Sequence, residues 1–367
     1  MTAPPTTLQL DTGRTFRGGQ RQVNLLVRGL AERGHGVVLV VPPGAPLAAE
    51  ARGVEGVEVC EVPMRGELSL RAVRALAGLL VSRGVQLVHA HTAHAITLAH
   101  LARLAGRRLP LVAHRHVAFA QRRHVLARRK RRWPDRWIAV SRAVADRLRA
   151  DGVDAKRIAV VPAALEPEAL EVRRSREAVR RELGVPADAI LAGFVGALTA
   201  NKDPALLLDA VAELAPQRDI PHLLIVGEGP LRAMLEQRAR TFGLAGRVTF
   251  TGQVPRAADL LAACDLAVFP SRSEGSHNAL KEAIALGVPV LASGIPAHRE
   301  LGIPSDSLFE PGDAGGLAAR LGTTLDDLPA RRIAAADLAE IAGRFSPRVM
   351  VDAVAGIYRE LVDPAPA

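Results

Sequence analysis

The arrangement of apolar runs constrains the fold of this chain more than any other feature. In the first half, short runs rich in Val, Leu and Ile alternate with longer segments whose apolar residues recur at helical spacing. Such alternation is typical of parallel sheets, because a parallel strand pair needs a crossover connection. We therefore predict a doubly wound, Rossmann-like α/β domain. Its strands are expected at 8–10, 36–41, 57–59, 86–90, 109–113, 137–141 and 158–161.

The same alternation recurs in the second half, although the two halves share no sequence repeat. Strands are expected at 190–196, 222–230, 247–250 and 265–269, and the second of these ends in a glycine turn. The stretch 162–182 is richer in Pro, Glu and Arg, and we interpret it as the connection between domains. We predict domains at 1–165 and 166–343, followed by a C-terminal helical segment at 344–367.

Composition indicates a globular protein and argues against several other classes. The 367 residues are 49% hydrophobic and 23% charged, which is enough for two α/β domains with full cores. Aromatic residues make up only 3%, so platforms for stacking nucleic-acid bases are scarce. The two cysteines lie in separate apolar runs, no run has membrane-spanning length, and the N-terminal residues lack a signal-peptide pattern. We expect a cytoplasmic protein.

Positive charge is concentrated in one part of the first half. Residues 68–134 contain no Asp or Glu and fourteen Arg or Lys residues, so this basic segment carries +14. Because the whole chain is +10, the remainder is net −4. This asymmetry predicts an anionic partner, which could be a phosphorylated acceptor, a membrane surface or nucleic acid. The low aromatic content argues against nucleic acid.

The stretch 268–292 has the pattern of strand, polar loop, amphipathic helix and strand. Glu274 lies in the loop, and Glu282 lies inside the helix that the turn at 275–278 opens. A helix N-terminus attracts anions, and a neighbouring carboxylate can accept hydrogen bonds from hydroxyl groups. The combination suits a sugar phosphate. Ordinary helix capping by polar residues is the alternative explanation.

Histidine and lysine are unevenly distributed. Seven of the eleven histidines lie between His89 and His124, and the spacing of His89, His91 and His94 suggests a metal site. However, that window holds no carboxylate or cysteine and fits no standard zinc pattern, so we do not predict a metal there. The strand-end His116 is better suited to bonding hydroxyls or phosphate, although a buried polar residue is an equal alternative. Only four lysines occur in this arginine-rich chain. A lysine in such a chain suggests a position that needs its compact ammonium group, and Lys202 is the candidate that we select on this basis.

Five segments of the sequence resemble glycosyltransferase family 4, the retaining sugar-nucleotide enzymes of the GT-B fold. Gly18-Gly19 resembles the family's N-terminal glycine loop, 137–144 its strand and helix, and 194–203 its lysine-containing segment. Residues 227–230 resemble its glycine turn, and 273–283 resembles its Glu-x7-Glu segment, which is the most specific signature. The resemblance covers nearly the whole chain. It implies two facing Rossmann-like domains, with the C-terminal helix crossing back to pack toward the first.

The resemblance also implies roles for the matching residues. The catalytic residues would be Lys202, which binds the donor diphosphate, Glu274, which contacts the sugar hydroxyls, and His116, which lies near the reacting centre. Glu282 would hold the nucleotide ribose. The remaining donor-binding residues would be Gly18, Gly19, Gly196, Gly227, Glu228, Ser276, His277, Asn278 and Ala279.

The sequence departs from the family pattern at two places, where it lacks an arginine and an Asn-Gly pair. Ala197 stands where the family has an arginine, and Ala163-Ala164 replaces the usual Asn-Gly. Arg21 or another cation could substitute for the missing charge. No Asp-x-Asp pair occurs in the sequence, which agrees with the family's metal-independent habit. We therefore expect no cofactor and no metal in the reaction, with the nucleotide sugar as a substrate.

The resemblance implies a retaining glycosyltransferase that moves a sugar from a nucleotide-diphosphate sugar to a hydroxyl group. The acceptor would be an anionic or lipid-linked glycan of cell-envelope or exopolysaccharide synthesis, and the basic segment suggests peripheral contact with the cytoplasmic membrane face. Two alternatives remain open at this point. One is a GT-B epimerase that acts on a sugar nucleotide, and the other is a non-catalytic protein that binds anions or nucleic acid.

Overall fold

A computed structural model describes residues 3–117, 129–328 and 335–363 of the chain. The chain divides into two compact units, one formed by Met1–Ala164 with Phe345–Ala367 and the other by Leu165–Arg344. Each unit contains a parallel sheet covered by helices, so the α/β class and the two Rossmann-like domains predicted from the sequence are confirmed. Within the basic segment at 68–134, residues 118–128 lie outside the described residues.

The first unit is built on a seven-stranded parallel sheet in the order β3-β2-β1-β4-β5-β6-β7. Runs of Val, Leu and Ala form its central strands because both faces of the sheet are covered. The strands are β1 (Thr7–Leu10), β2 (Val37–Val41), β3 (Val57–Glu61), β4 (Leu87–Ala90), β5 (Leu111–Arg115), β6 (Arg136–Ala139) and β7 (Ile158–Val160).

Helices cover both faces of this sheet and divide its core in two. Those before the connection are α1 (Gly18–Glu32), α2 (Pro46–Ala51), α3 (Leu70–Ser82), α4 (Ala93–Ala105) and α5 (Arg142–Ala150). Side chains of α3, α4 and α5 pack on one face, and those of α1 and α2 pack on the other. Ser69, Thr92 and Ser141 begin three of these helices, since each side chain accepts a hydrogen bond from a backbone N–H of the first turn.

The second unit has a six-stranded parallel sheet in the order β10-β9-β8-β11-β12-β13. Its strands are β8 (Leu191–Val195), β9 (His222–Val226), β10 (Val248–Gly252), β11 (Leu266–Phe269), β12 (Val290–Ser293) and β13 (Leu308–Phe309). Its helices are α6 (Arg176–Glu182), α7 (Pro204–Leu214), α8 (Arg232–Thr241), α9 (Ala258–Ala262), α10 (Asn278–Ala285), α11 (Pro296–Arg299), α12 (Ala314–Asp326) and α13 (Ala335–Arg344).

The last helix, α14 (Pro347–Val362), belongs to the first unit although it follows the second in sequence. Ser346 caps its start, and Pro347 occupies the first turn, where a missing N–H is tolerated. Val351, Val354 and Tyr358 are buried with α1 residues such as Val27 in the core of the first unit. The C-terminal helix expected within 344–367 thus begins at Pro347, and a separate helix, α13, precedes it. Among the described residues, no helix is both long and apolar enough to cross a membrane.

Candidate functional site

The centre of the second sheet is the point at which its strand order reverses. Strand β8 lies between β9 and β11. The chain continues from β8 to β9 on one side and from β11 to β12 on the other, so the loops after β8 and β11 start on neighbouring strands and diverge. In open parallel sheets, ligands bind outside the carboxyl ends of the strands at such a switch point. The loop after β8 carries Lys202, and the loop after β11 carries Glu274.

The structure brings these two predicted catalytic residues into an ion pair. Lys202 Nζ lies 2.6 Å from Glu274 Oε1, and their side chains are 20% and 9% exposed. Asn201 Nδ2 donates to the Ser273 carbonyl at 2.7 Å, and Arg272 N donates to the Asn201 carbonyl at 2.8 Å. The two loops are therefore bonded to each other directly before the residues of the pair.

A second cation lies beside this ion pair. Asp203 adopts a left-handed conformation with φ 48°, and its carboxylate lies 2.7 Å from Arg272 Nη2. The Arg272 side chain is largely exposed at the same loop junction. Arg21, the substitute for the missing family arginine considered from the sequence, lies in the first unit with its guanidinium 5.9 Å from the centre of the Phe16 ring.

His277, at the start of α10, is held by residues that the sequence did not point to. His298 Nδ1 donates to the Ser293 carbonyl at 2.8 Å, so its Nε2 accepts the bond from His277 Nδ1, also 2.8 Å long. Ser293 Oγ in turn donates to the Ser271 carbonyl. This chain of bonds leaves His277 Nε2 as a buried acceptor that meets no partner among the described residues.

Both of these histidines are neutral in the folded protein. Burial lowers the pKa of His298 to about 4 and the pKa of His277 well below its usual value. For His277 the nearby charge of Lys202 acts in the same direction. A neutral His277 is consistent with the tautomers that the hydrogen bonds require.

Helix α10 presents a buried lysine beside the predicted ribose ligand. Lys281 is only 1% exposed, and burial lowers its pKa to about 7, while the adjacent Glu282 opposes this shift. Glu282 lies four residues, or about one turn, after Asn278 at the helix start. Ser276, His277, Asn278 and Ala279 lie at or just before the same end of α10, where unpaired N–H groups occur. Lys281 was not among the predicted site residues, although a lysine in an apolar helical segment is itself a signal.

The glycines after β8 and β9 allow two loops to meet through their backbones. Gly196 N donates to the Val226 carbonyl at 3.0 Å, and Leu198 N donates to the Glu228 carbonyl at 3.0 Å. Gly227 has φ 138°, and a Cβ there would lie 1.9 Å from the Gly196 oxygen. The Glu228 carboxylate itself pairs with Arg232 on α8.

In the first unit, the predicted glycine loop and His116 lie together. Helix α1 begins at Gly18, and a Cβ on Gly19 would lie 3.9 Å from His116 Cγ. The half-buried His116 ring stacks on His114 with 4.2 Å between the ring centres, and burial lowers its pKa to about 4. A ring nitrogen of His116, Nε2, meets no hydrogen-bond partner within the described part of the chain.

The histidine-rich window forms a different group from the one that its spacing suggested. His94 Nε2 donates to the Gly66 carbonyl at 2.7 Å and lies apart from the others. His114 takes its place, and one ring nitrogen each of His89, His91 and His114 lie within 4.8 Å of one another.

Comparison with known proteins gives two family matches that together span most of the chain. Residues 16–169 match Glycosyltransferase Family 4, and residues 189–327 match Glycosyl transferases group 1. The first match covers most of the first unit and the second most of the second unit.

Named relatives match at about one third identity. The chain is 30% identical over 286 residues to the 2-deoxystreptamine N-acetyl-D-glucosaminyltransferase of Streptomyces fradiae. The aligned region covers 74% of this chain and 64% of that enzyme. It is 33% identical over 187 residues to the lipopolysaccharide core biosynthesis glycosyltransferase LpsD of Rhizobium meliloti (strain 1021), 49% of this chain and 52% of that protein. The chain thus spans less than two thirds of either relative.

Among solved structures, the HepE protein of Anabaena in complex with UDP has a similar fold. It superposes with a TM-score of 0.82 at 22% identity, over 97% of this chain and 100% of that one. At this identity the similarity concerns the fold alone.

Proposed function

Because this chain belongs to glycosyltransferase family 4, we propose that it transfers a sugar from a nucleoside-diphosphate sugar to a hydroxyl group of a glycan acceptor. The observation that carries the proposal is the ion pair between Lys202 and Glu274 at the switch point of the second sheet. A cation for phosphate and an anion for sugar hydroxyls lie side by side there, close in sequence to the N-terminus of α10.

Donor binding would rearrange this ion pair. The diphosphate would take over Lys202 Nζ, which releases the Glu274 carboxylate to accept hydrogen bonds from the sugar. The backbone N–H groups at 277–279 would bind phosphate oxygens, and Glu282 would accept bonds from the ribose hydroxyls. The glycines at 196 and 227 would let the donor approach the backbone, and Arg272 would provide the positive charge that Ala197 lacks.

The proposed reaction needs no metal at the donor site. As the bond between the sugar and the diphosphate breaks, negative charge develops on the leaving phosphate, and Lys202 with the N-terminus of α10 would stabilise it. We propose retention of configuration: the acceptor oxygen bonds to the anomeric carbon on the face that the phosphate leaves, and the departing phosphate takes the acceptor proton. His116, which lies beside Gly19, would bond hydroxyl or phosphate groups of a substrate.

The acceptor would be an anionic or lipid-linked glycan. The basic segment at 68–134 supports this proposal because its charge suits phosphorylated or membrane-associated glycans. The relative LpsD, named for lipopolysaccharide core biosynthesis, supports an envelope glycan. Cytoplasmic location with peripheral membrane contact, and no nucleic-acid partner, complete the proposal.

The test is a panel of nucleotide sugars that begins with UDP-glucose, since a structure of the HepE protein holds that compound. Thermal stabilisation by one donor, together with acceptor-dependent release of its nucleotide, would support the proposal. Interconversion of the sugar without an acceptor would instead indicate an epimerase. If no nucleotide sugar or nucleotide stabilises the protein, the proposal is wrong.

A further inference from the structure

The buried histidines of the first unit form a group that the proposed reaction does not use. His89 belongs to β4, His91 follows it directly, and His114 belongs to the neighbouring strand β5. Val112 pairs with His89 in the parallel register, so His114, two residues later, points to the same face as His89 and His91. All three side chains are almost completely buried.

Each ring offers a nitrogen that the described residues leave without a hydrogen bond. These atoms are His89 Nε2, His91 Nδ1 and both ring nitrogens of His114. Buried polar atoms are rarely left unsatisfied, because the cost of desolvation is then uncompensated. Three such rings in one group therefore point to a ligand shared among them.

The other ring nitrogens of His89 and His91 each lie within hydrogen-bond distance of a side-chain oxygen atom. Gln9 Nε2 donates to Thr7 Oγ1 at 3.0 Å and to the Tyr358 hydroxyl oxygen at 3.1 Å. The Gln9 Oε1 atom therefore faces His91 Nε2, 2.9 Å away, and accepts a hydrogen bond from it. The proton of the neutral His91 ring is then on Nε2, so Nδ1 carries a lone pair that is available to a ligand.

His89 Nδ1 lies 2.6 Å from the Tyr358 hydroxyl, which can donate to this nitrogen or accept from it. The second arrangement leaves His89 Nε2 as a lone pair. An oxygen partner behind the ring, as His89 and His91 each have, is the arrangement found where histidines bind metals, since it sets the tautomer and the orientation of the ring.

We propose that His89, His91 and His114 form a transition-metal site in the first domain. Imidazole nitrogens select Zn, Cu, Ni and Fe, and none of the described Asp, Glu or Cys residues belongs to the group. Nitrogens about 2.1 Å from one ion lie at most about 4.2 Å apart, so small rotations of the rings would close the site from its present 4.8 Å.

Burial favours the neutral form of all three rings. Burial lowers the pKa of His89 to about 3 and the pKa values of His91 and His114 well below the usual value, and the histidines repel charge on one another. The rings are therefore neutral at physiological pH, as ligands must be. None of the three proposed ligands has a role in the proposed glycosyl transfer, although His116, which has one, stacks on His114.

The experiment uses the full-length protein without a histidine tag, treated with a chelator and then desalted. It is incubated with Zn²⁺ or, under anaerobic reducing conditions, with Cu⁺, and the bound metal is measured after removal of excess. We expect about one equivalent of one of these ions per chain and an unfolding midpoint that rises with the concentration of that ion. Co²⁺ in place of Zn²⁺ would report the nitrogen ligands through its visible absorption.

His114→Phe should abolish metal uptake, whereas the control His94→Phe, which changes a histidine outside the group, should retain it. Tyr358→Phe should weaken binding about tenfold by removing an oxygen partner. The measurements on the unaltered protein do not depend on whether His114→Phe folds. Failure of the unaltered protein to retain either ion, or equal retention by the two histidine variants, would overturn the proposal.

Discussion

Lys202 Nζ and Glu274 Oε1 lie 2.6 Å apart although 71 residues of sequence separate them. The pair joins the loops after two neighbouring strands, and hydrogen bonds from Asn201 and Arg272 hold the loops together. A half-buried ion pair of this kind is costly to break on one side, because the remaining charge loses its partner. Donor phosphate would replace that partner.

Lys202→Ala should reduce turnover about 100-fold or more, because the leaving diphosphate would lose a cation that acts in the transition state. Lys156→Ala is the matched control, since Lys156 is an exposed lysine of the first unit. Steady-state kinetics with the donor identified in the panel would measure both. Equal activity of the two variants would remove Lys202 from the mechanism.

Gly227→Ala should destabilise the second domain by about 3 kcal/mol or more, since the new Cβ would clash with backbone in a conformation that side chains rarely adopt. The clash is with the Gly196 oxygen, 1.9 Å from that Cβ position. Gly243→Ala is the control: φ there is 70° and no atom lies within 4 Å of the added Cβ, so about 1 kcal/mol is expected. Urea unfolding would measure the two free energies, and similar losses would contradict the role of the close approach.

Stability should fall as pH decreases from about 6.5 toward 4. Burial lowers the pKa of His298 and of His116 to about 4, whereas histidines of the unfolded chain titrate near 6.5. Between these values the unfolded chain binds more protons than the folded protein, so the free energy of unfolding rises with pH. The stabilisation that comes from keeping these histidines neutral is fully present above pH 6.5. Unfolding curves at several pH values would measure this slope.

The contribution of one histidine can be isolated by removing its ring. His298→Gln should flatten the slope between pH 4 and 6.5 by the share of one titrating group. An unchanged slope for His298→Gln would show that this residue titrates normally in the folded protein.

Binding to anionic lipid vesicles should weaken as salt rises, since the proposed membrane contact depends on charge. Arg107 and Arg108 are exposed in the basic segment, and reversing both to Glu should reduce vesicle binding strongly. Reversal of the exposed Arg320 in the second unit is the control. Vesicle co-sedimentation would measure all three proteins, and binding that ignores salt and the double reversal would refute a charge-led contact.

The fold was predictable, and Lys202 and Glu274 could each be selected as candidates, because these signals are local or carried by family motifs. Alternating apolar runs defined the strands, and the segments around Lys202 and Glu274 each resemble a known pattern. The ion pair itself was not predicted, since its two loops meet only through the order of β8 and β11 in the sheet.

The histidine clusters were missed for a different reason. The sequence spacing drew attention to His94, whereas the group is completed by His114, on a strand that lies beside β4. Alternation along a strand places His89 and His91 on one face, but the identity of the neighbouring strand depends on the topology of the sheet. His298 likewise reaches His277 across 21 residues through a bond that no spacing rule describes.

The position of α14 has a consequence for synthesis on the ribosome. Tyr358 completes the hydrogen bonds of Gln9 and His89, yet the whole second domain is translated between these residues and the helix that carries it. Until α14 emerges, the α1 side of the first sheet leaves Val27 and its neighbours uncovered. The second domain, whose residues are contiguous, can therefore complete its core first, and the nascent first domain should be the part that recruits chaperones.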